Sequence, residues 1–244
     1  MILLRIPYLV LGLIICLASC KEDAPVSPDP TQPDNKLSMQ FKFGDQALSP
    51  NATYQFPDGR KLSVDLINFY MSNISLKADT GYVFLNDLFL LCNSNKNSYE
   101  LPNLPIQNYS AIRFSIGVDS IINAGDPTDY KTTNPLGLQS NIPMHWGWNT
   151  GYVFALLEGK YDNTPDKTGL LEAYWFYHIG LNQFFMENIE VPLSASKIEI
   201  VFDAAGIFND VNVMLESETK STSNGDLADK ISKNVKTHVF KKAF

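Results

Sequence analysis

The residues that could do chemistry are concentrated in one stretch of this chain, Pro143–Gly159, with the sequence PMHWGWNTGYVFALLEG. It contains two of the three tryptophans, Trp146 and Trp148, and one of only three histidines, His145. Within it, the apolar run Tyr152–Leu157 is typical of a buried strand. Rigid aromatic rings beside an imidazole, directly before a strand, indicate a candidate site, because functional residues are often held on loops by a rigid scaffold.

A second imidazole, His178, follows the aromatic run Tyr174–Tyr177 in a segment with strand character. Imidazole is the commonest metal-binding side chain, and a hydrogen bond to its second nitrogen usually orients it. The alternative is a core histidine that only satisfies a hydrogen bond. We expect the third histidine, His238, to be a solvated helix residue.

A further group of oxygen donors, Asp119, Asn123 and Asp126, has a spacing that could hold Ca²⁺. The alternative is a polar turn in which the same side chains bond to their own backbone. Both interpretations stay open at the sequence level.

Several functional classes are disfavoured by the sequence. The chain of 244 residues has a formal net charge of −7 and no basic cluster, so we expect no nucleic-acid binding, which depends on Lys and Arg. It contains no Gly-x-Ser-x-Gly, no His-Glu-x-x-His and no Gly-rich phosphate loop. We therefore expect a protein that is not an enzyme.

The N-terminus has the pattern of a bacterial lipoprotein. Residues 1–19 combine Arg5 with a short apolar core and small residues, as in a secretory signal peptide. Leu17–Cys20 (LASC) resembles a lipobox, which predicts lipidation of Cys20 and a membrane anchor through its acyl chains. The alternative is a simple cleaved leader with a chance cysteine. Lys21–Asp23 resembles the acidic export signal of surface lipoproteins, so we expect an outer membrane, cell-surface location in a Gram-negative bacterium.

The remaining chain divides into a tether and one folded domain. Residues 20–36 are rich in Pro and polar residues and predict an extended tether, whereas residues 37–244 should form the domain. Cys92 would be the only cysteine in that domain, so no intrachain disulfide is possible and a buried thiol is expected there.

The pattern of the domain predicts an all-β fold, an antiparallel β-sandwich with long loops and a short C-terminal helix. The helix is expected over Leu227–Phe240, capped by Asn224 or Asp226. The loop before the aromatic stretch is expected over Ile121–Gln139. Strand character is found in Ser38–Phe43, Leu62–Leu76, Tyr82–Leu91, Ala111–Val118, Ala173–Ile179 and Lys197–Phe202.

Four blocks of the domain, in the same order along the chain, resemble the MbnP-like proteins, secreted domains related to a protein of methanobactin copper-handling cassettes. The blocks are Leu66–Leu76 (LINFYMSNISL), Arg113–Asp119 (RFSIGVD), Met144–Tyr152 (MHWGWNTGY) continuing to Glu158-Gly159, and Tyr177–Gly180 (YHIG). The resemblance spans most of the chain from Leu37 onward. It implies a β-sandwich, copper binding outside the cytoplasm in some members, and a tryptophan oxidised to kynurenine by a dihaem cytochrome c peroxidase-like partner.

The resemblance makes His178 a candidate copper ligand, and Trp146 or Trp148 the candidate for oxidation. His145 stands where the family usually has an aromatic residue, so it either adds a second imidazole or only packs. Met144 could supply a thioether, which Cu(I) accepts, or could belong to the core. On the residues alone, both tryptophans could equally be packing anchors.

A second functional hypothesis is a non-catalytic, surface-exposed ligand- or glycan-binding lipoprotein, in which exposed aromatic rings stack on a sugar or a partner. It is favoured by the 12% aromatic content of the chain and by the predicted lipid tether.

Overall fold

The computed structural model describes residues 35–56, 58–138, 144–147, 150–194 and 197–243. The predicted signal peptide, Cys20 and most of the tether therefore lie outside the described residues, as does Trp148. No helix in the described part of the chain is long and apolar enough to cross a membrane.

The strands form two sheets that pack face to face. In chain order they are β1 Lys36–Phe43, β2 Gln46–Ala47, β3 Tyr54–Gln55, β4 Lys61–Leu62, β5 Leu66–Ala78, β6 Gly81–Phe84, β7 Leu90–Asn93, β8 Ser98–Glu100, β9 Ala111–Ile116, β10 Val153–Tyr161, β11 Ala173–Gly180, β12 Met186–Pro192, β13 Glu199–Asp203, β14 Glu218–Lys220 and β15 Phe240–Lys242. The helices are α1 Ser120–Asn123 and α2 Gly225–Asn234, with 3₁₀ turns at Pro127–Asp129, Asn182–Phe184 and Ala204–Phe208 and a π-helical turn at Val235–Val239.

The larger sheet has the order β12-β9-β5-β10-β11-β14, and the smaller one has the order β15-β13-β1-β2. The short strands β6 and β7 also pair with β5, β4 pairs with β10 and β3, and β8 pairs with β1. Most pairings are antiparallel, which confirms the predicted all-β sandwich. Two pairings, β1 with β13 and β11 with β14, are parallel.

The main core lies between the two sheets. Alternation along β1, within the predicted strand Ser38–Phe43, places Met39 and Phe41 in it, and the ring of Phe69 on β5 stacks on that of Phe202 at 5.2 Å. The Cys92 thiol is fully buried and free, which confirms its predicted core position, and this burial raises its pKa.

A second apolar cluster covers part of the outer face of the larger sheet. It joins Tyr70 of β5 and Leu156 of β10 to Tyr152, Met144 and Leu136. The segment predicted as a surface loop, Ile121–Gln139, therefore packs on the sheet over part of its length. This explains why β5 is buried on both faces instead of alternating.

The C-terminal helix is capped by Asn224, one of the two predicted caps, whose side chain accepts a hydrogen bond from the Leu227 N–H at 3.2 Å, and it begins at Gly225, two residues before the predicted start. It ends earlier than predicted: α2 stops at Asn234, and the next turn is π-helical. His238 lies exposed in that turn, in agreement with its predicted solvation.

Candidate functional site

The described residues on either side of positions 148 and 149, 144–147 and 150–153, pair as the arms of a β-hairpin that leads into β10. Hydrogen bonds join the Trp146 N–H to the Gly151 carbonyl at 2.9 Å and the Val153 N–H to the Met144 carbonyl at 3.0 Å. Gly151, with φ +71°, turns the chain and lies so close to the Asn123 side chain that a Cβ would be 2.3 Å from its Oδ1. The reversal therefore depends on glycine at this position.

The hairpin places Trp146 against the end of β11. A Cβ at Gly180 would lie 2.6 Å from Cζ3 of the Trp146 indole, so the missing side chain leaves the space that the ring occupies. Because alternate residues of a strand share a face, Gly180 lies on the same side of β11 as His178. Trp146 and His178 therefore lie on the same face of β11.

His178 is held by a carboxylate from the adjacent strand. Its Nε2 lies 2.8 Å from Oε1 of Glu158 on β10, and its side chain is 17% exposed. In the antiparallel register His178 is opposite Leu156, and Glu158 is two residues further along, within reach of a diagonal contact. An ionised carboxylate can only accept, so Nε2 donates the shared proton, and in the neutral form of the imidazole Nδ1 keeps its lone pair. An imidazole oriented in this way is prepared to bind a metal through Nδ1.

His145 is arranged differently. The Gly147 N–H donates to its Nδ1 at 3.0 Å, and its ring meets the Tyr152 ring edge-on, with 4.8 Å between centroids. Its Nε2 is buried and has no hydrogen-bond partner among the described residues. Burial lowers the pKa of this imidazole, and the Asp126 carboxylate partly opposes that shift. The neutral ring therefore carries its proton on Nε2, and metal binding by His145 stays a prediction.

Met144 is 3% exposed and belongs to the second apolar cluster, which matches the packing role considered for it. The rings of that cluster also contact each other, since Tyr70 and Tyr152 meet edge-on at 5.5 Å. Both hydroxyls donate to the loop above them, that of Tyr70 to the Pro135 carbonyl and that of Tyr152 to the Leu136 carbonyl. The hairpin is thereby fixed on the sheet.

The oxygen atoms considered for Ca²⁺ are engaged locally. Asp119 caps α1 by accepting from two backbone N–H groups, and Asp126 accepts from both the N–H and the hydroxyl of Thr128. The Asn123 side chain accepts from the Tyr152 N–H at 2.8 Å. The turn alternative therefore describes Asp119 and Asp126, whereas Asn123 bonds to the distant hairpin, and the calcium site stays a prediction. Among the described residues, no group of three or more His, Cys, Asp and Glu side chains comes together.

Sequence reasoning did not identify Glu158 or Gly180 as parts of this site. Both lie within the blocks of the resemblance, but their roles depend on the register between β10 and β11. Glu158 could have been identified from its spacing of two residues from Leu156, which places both side chains on the same face of β10. This requires knowing that β10 pairs with the strand that contains His178.

Comparison with known proteins decides the family. The MbnP family model matches residues 32–225, which is most of the chain. The chain belongs to the MbnP family. A solved structure, MbnP from Methylosinus trichosporium, is similar with a TM-score of 0.44 and 15% identity, and the match covers 71% of this chain and 76% of that one. A search of curated proteins gives no match.

Proposed function

We propose that this MbnP-family protein binds copper outside the cytoplasm, with His178 as an imidazole ligand. The observation that carries the proposal is the Glu158–His178 pair, which orients a partly exposed imidazole on the face of β11 that Trp146 covers at Gly180, within the matched segment. Copper accepts imidazole nitrogen readily, so the donor type fits the metal that family membership suggests.

His178 would hold the metal through Nδ1, while Glu158 fixes the ring and increases the basicity of the ligand nitrogen. Copper, when bound, would supply a redox-active centre next to an indole. His145 does not fit as a ligand while the Gly147 N–H bonds to its Nδ1, because its Nε2 then carries the proton. For His145 to bind copper through Nε2, that hydrogen bond has to break and the tautomer has to change.

We extend the proposal to the modification that the family resemblance implies. Trp146 or Trp148 would be oxidised to kynurenine by a dihaem cytochrome c peroxidase-like partner. The support from this chain is the position of Trp146 on the His178 side of β11. Mass analysis of tryptic peptides from protein purified from its native host would detect the modification and assign it to one of the two tryptophans.

The lipid anchor and the outer-membrane location are part of the same proposal and are supported by the LASC motif and the polar tether after it. Labelling of growing cells with a radioactive fatty acid tests the anchor. We expect incorporation into the wild-type protein and none into the Cys20→Ser variant. Equal labelling of both would remove the lipoprotein assignment.

The test of copper binding is a competitive titration of Cu(I) and Cu(II) against a chromophoric chelator, carried out on the purified chain. We expect binding near one copper per chain, about 10- to 100-fold weaker in His178→Ala and weakened in the same direction in Glu158→Gln. His238→Ala is the matched control, because His238 is exposed on the π-helical turn outside the family-matched segment.

Equal affinity of the wild type and His178→Ala, for chain taken from the native host, would refute the assignment of the ligand. The hypothesis of a surface-exposed ligand- or glycan-binding lipoprotein stays a prediction. Absence of binding on a glycan array together with tight copper binding would count against it.

A further inference from the structure

A second concave site is present in the described part of the molecule, away from the residues of the candidate copper site. It is an open cleft of about 980 Å³, within the usual size range of small-molecule sites. Its walls are the β1–β2 turn, β3, the 3₁₀ turn Ala204–Phe208, the π-helical turn Val235–Val239 and β15. Neither Trp146 nor His178 lines it.

The floor of the cleft is aromatic. Phe43 stacks on Tyr54 with 4.8 Å between centroids, and Phe56 meets Phe208 edge-on at 4.9 Å. Tyr54, Phe56 and Phe208 are buried, whereas Phe43 and Phe240 are half-buried and leave apolar surface uncovered. The floor therefore suits the apolar body of a ligand.

The walls are held in place without a ligand. The buried carboxylate of Asp203 accepts hydrogen bonds from the Gly44 N–H at 2.8 Å and the Ala205 N–H at 3.0 Å, which ties the β1–β2 turn to the 3₁₀ turn. The buried Asn234 amide donates to the carbonyls of Ile207 and Asn209 at 2.9 and 2.7 Å. Such preorganisation lowers the entropic cost of binding.

One wall contains the π-helical turn, a rare conformation that is found disproportionately at functional sites. The turn places Thr237 and His238 in the lining of the cleft. These residues and all of β15 lie beyond residue 225, where the match to the family model ends. The cleft is thus partly built by a segment that the family model does not include.

The charges at the rim are acidic. Asp45 and Asp210 are exposed, and their carboxylates have no ion-pair or hydrogen-bond partner among the described residues. Lys241, the only lysine or arginine among the described lining residues, is paired with Asp203 at 2.5 Å. The Lys230 ammonium, which donates to the Asp210 backbone carbonyl at 3.0 Å, is paired with Glu216 at 2.6 Å. A positively charged group entering the cleft would therefore meet two carboxylates that have no ion-pair partner among the described residues, in a chain whose net charge is −7.

We propose that this cleft binds a small amphipathic amine, with its apolar body on Phe43 and Phe240 and its ammonium group between Asp45 and Asp210. The proposal is independent of copper binding, because the two sites share no residue.

The test uses three probes of similar shape and different charge: phenethylamine, phenethyl alcohol and phenylacetate. Isothermal titration calorimetry on the purified chain should give saturable binding of phenethylamine with a dissociation constant of about 1 mM or below, weaker binding of the alcohol, and none of the acid. The double variant Asp45→Asn/Asp210→Asn should bind the amine about tenfold more weakly, since each exposed carboxylate contributes a factor of about three to five.

Asp79→Asn is the matched control, because it removes the same charge from an exposed turn residue that does not line the cleft. Asparagine tolerates the positive φ of Asp210, so the variants should keep the wild-type melting temperature, which is measured alongside. Any of three results overturns the proposal: no saturation by phenethylamine up to about 10 mM, equal binding of phenylacetate, or equal amine binding by the double variant.

Discussion

The contact between Trp146 and Gly180 makes Gly180→Ala the most informative single substitution. The new Cβ would lie 2.6 Å from Cζ3 of Trp146 and 2.7 Å from the Tyr152 carbonyl oxygen, both well inside van der Waals contact. Gly180 does not have a positive φ, so the backbone itself permits alanine and only the contacts oppose it. The indole can tilt, but the carbonyl belongs to the hairpin backbone and cannot move alone.

Overpacking of this kind typically costs about 1–3 kcal/mol. In a domain of this size, 1 kcal/mol lowers the melting temperature by about 2–4 °C, so we expect a decrease of about 2–12 °C in calorimetry. In a Trp146→Ala background the cost of Gly180→Ala should be smaller, because only the contact with the Tyr152 carbonyl remains.

The control is Gly225→Ala, at the first residue of α2, where the nearest atom to a new Cβ is Phe184 Cζ at 4.0 Å. Alanine there should leave the stability unchanged or increase it slightly, because it restricts the unfolded chain. The packing of Trp146 on β11 would be refuted if Gly180→Ala were as stable as the wild type, or if it cost the same stability with Trp and with Ala at position 146.

Two further predictions concern stability. Trp175→Phe should lower the free energy of unfolding, measured by urea titration, by about 2–4 kcal/mol. The substitution opens a cavity and leaves the buried Ser63 carbonyl without the indole N–H that donates to it at 3.0 Å. A loss below about 0.5 kcal/mol would contradict this prediction. The hydrogen bonds that Glu190 accepts from Tyr82 and Arg113 lower its pKa below 4.5. Ionised Glu190 therefore stabilises the folded state above that pH, and this stabilisation is lost as the pH falls through the lower pKa of the folded state. Glu190→Gln should flatten the acid limb of the pH–stability curve, and an unchanged limb would contradict the assignment.

Much of the fold was predictable because local rules agree with it. The predicted strands Ser38–Phe43 and Ala111–Val118 correspond to β1 and β9, and the apolar run Tyr152–Leu157 falls largely within β10. The cap of α2 followed from one asparagine side chain. These features depend on residues a few positions apart, which one sequence displays directly.

The features that were not predicted depend on distant residues or on irregular backbone. β12 escaped notice because its alternation is broken between Met186 and Ile189, where Asn188 adopts a φ of +59° and the register shifts. Tyr82–Leu91 contains two strands, β6 and β7, separated by a turn at which Asp87 also has a positive φ. Sheet order, including the two parallel pairings, joins segments that no local pattern connects.

The partial exposure of His178 follows from its place at the edge of the second apolar cluster. Along the outer face of β11 the exposure rises from Gly180, which is buried under Trp146, through His178 at 17% of its side chain, to Tyr174 at 65%. His178 therefore lies at the margin of the cover that the hairpin forms. Deeper in the cluster, an imidazole would be desolvated and closed off, as His145 is through its buried Nε2. Further out, water would compete with Glu158 for the ring, and the orientation of the imidazole would be lost. The margin is the place where a histidine can be both oriented by a carboxylate and left open to solvent, so the hairpin, as much as the strand itself, determines how far the His178 ring is exposed.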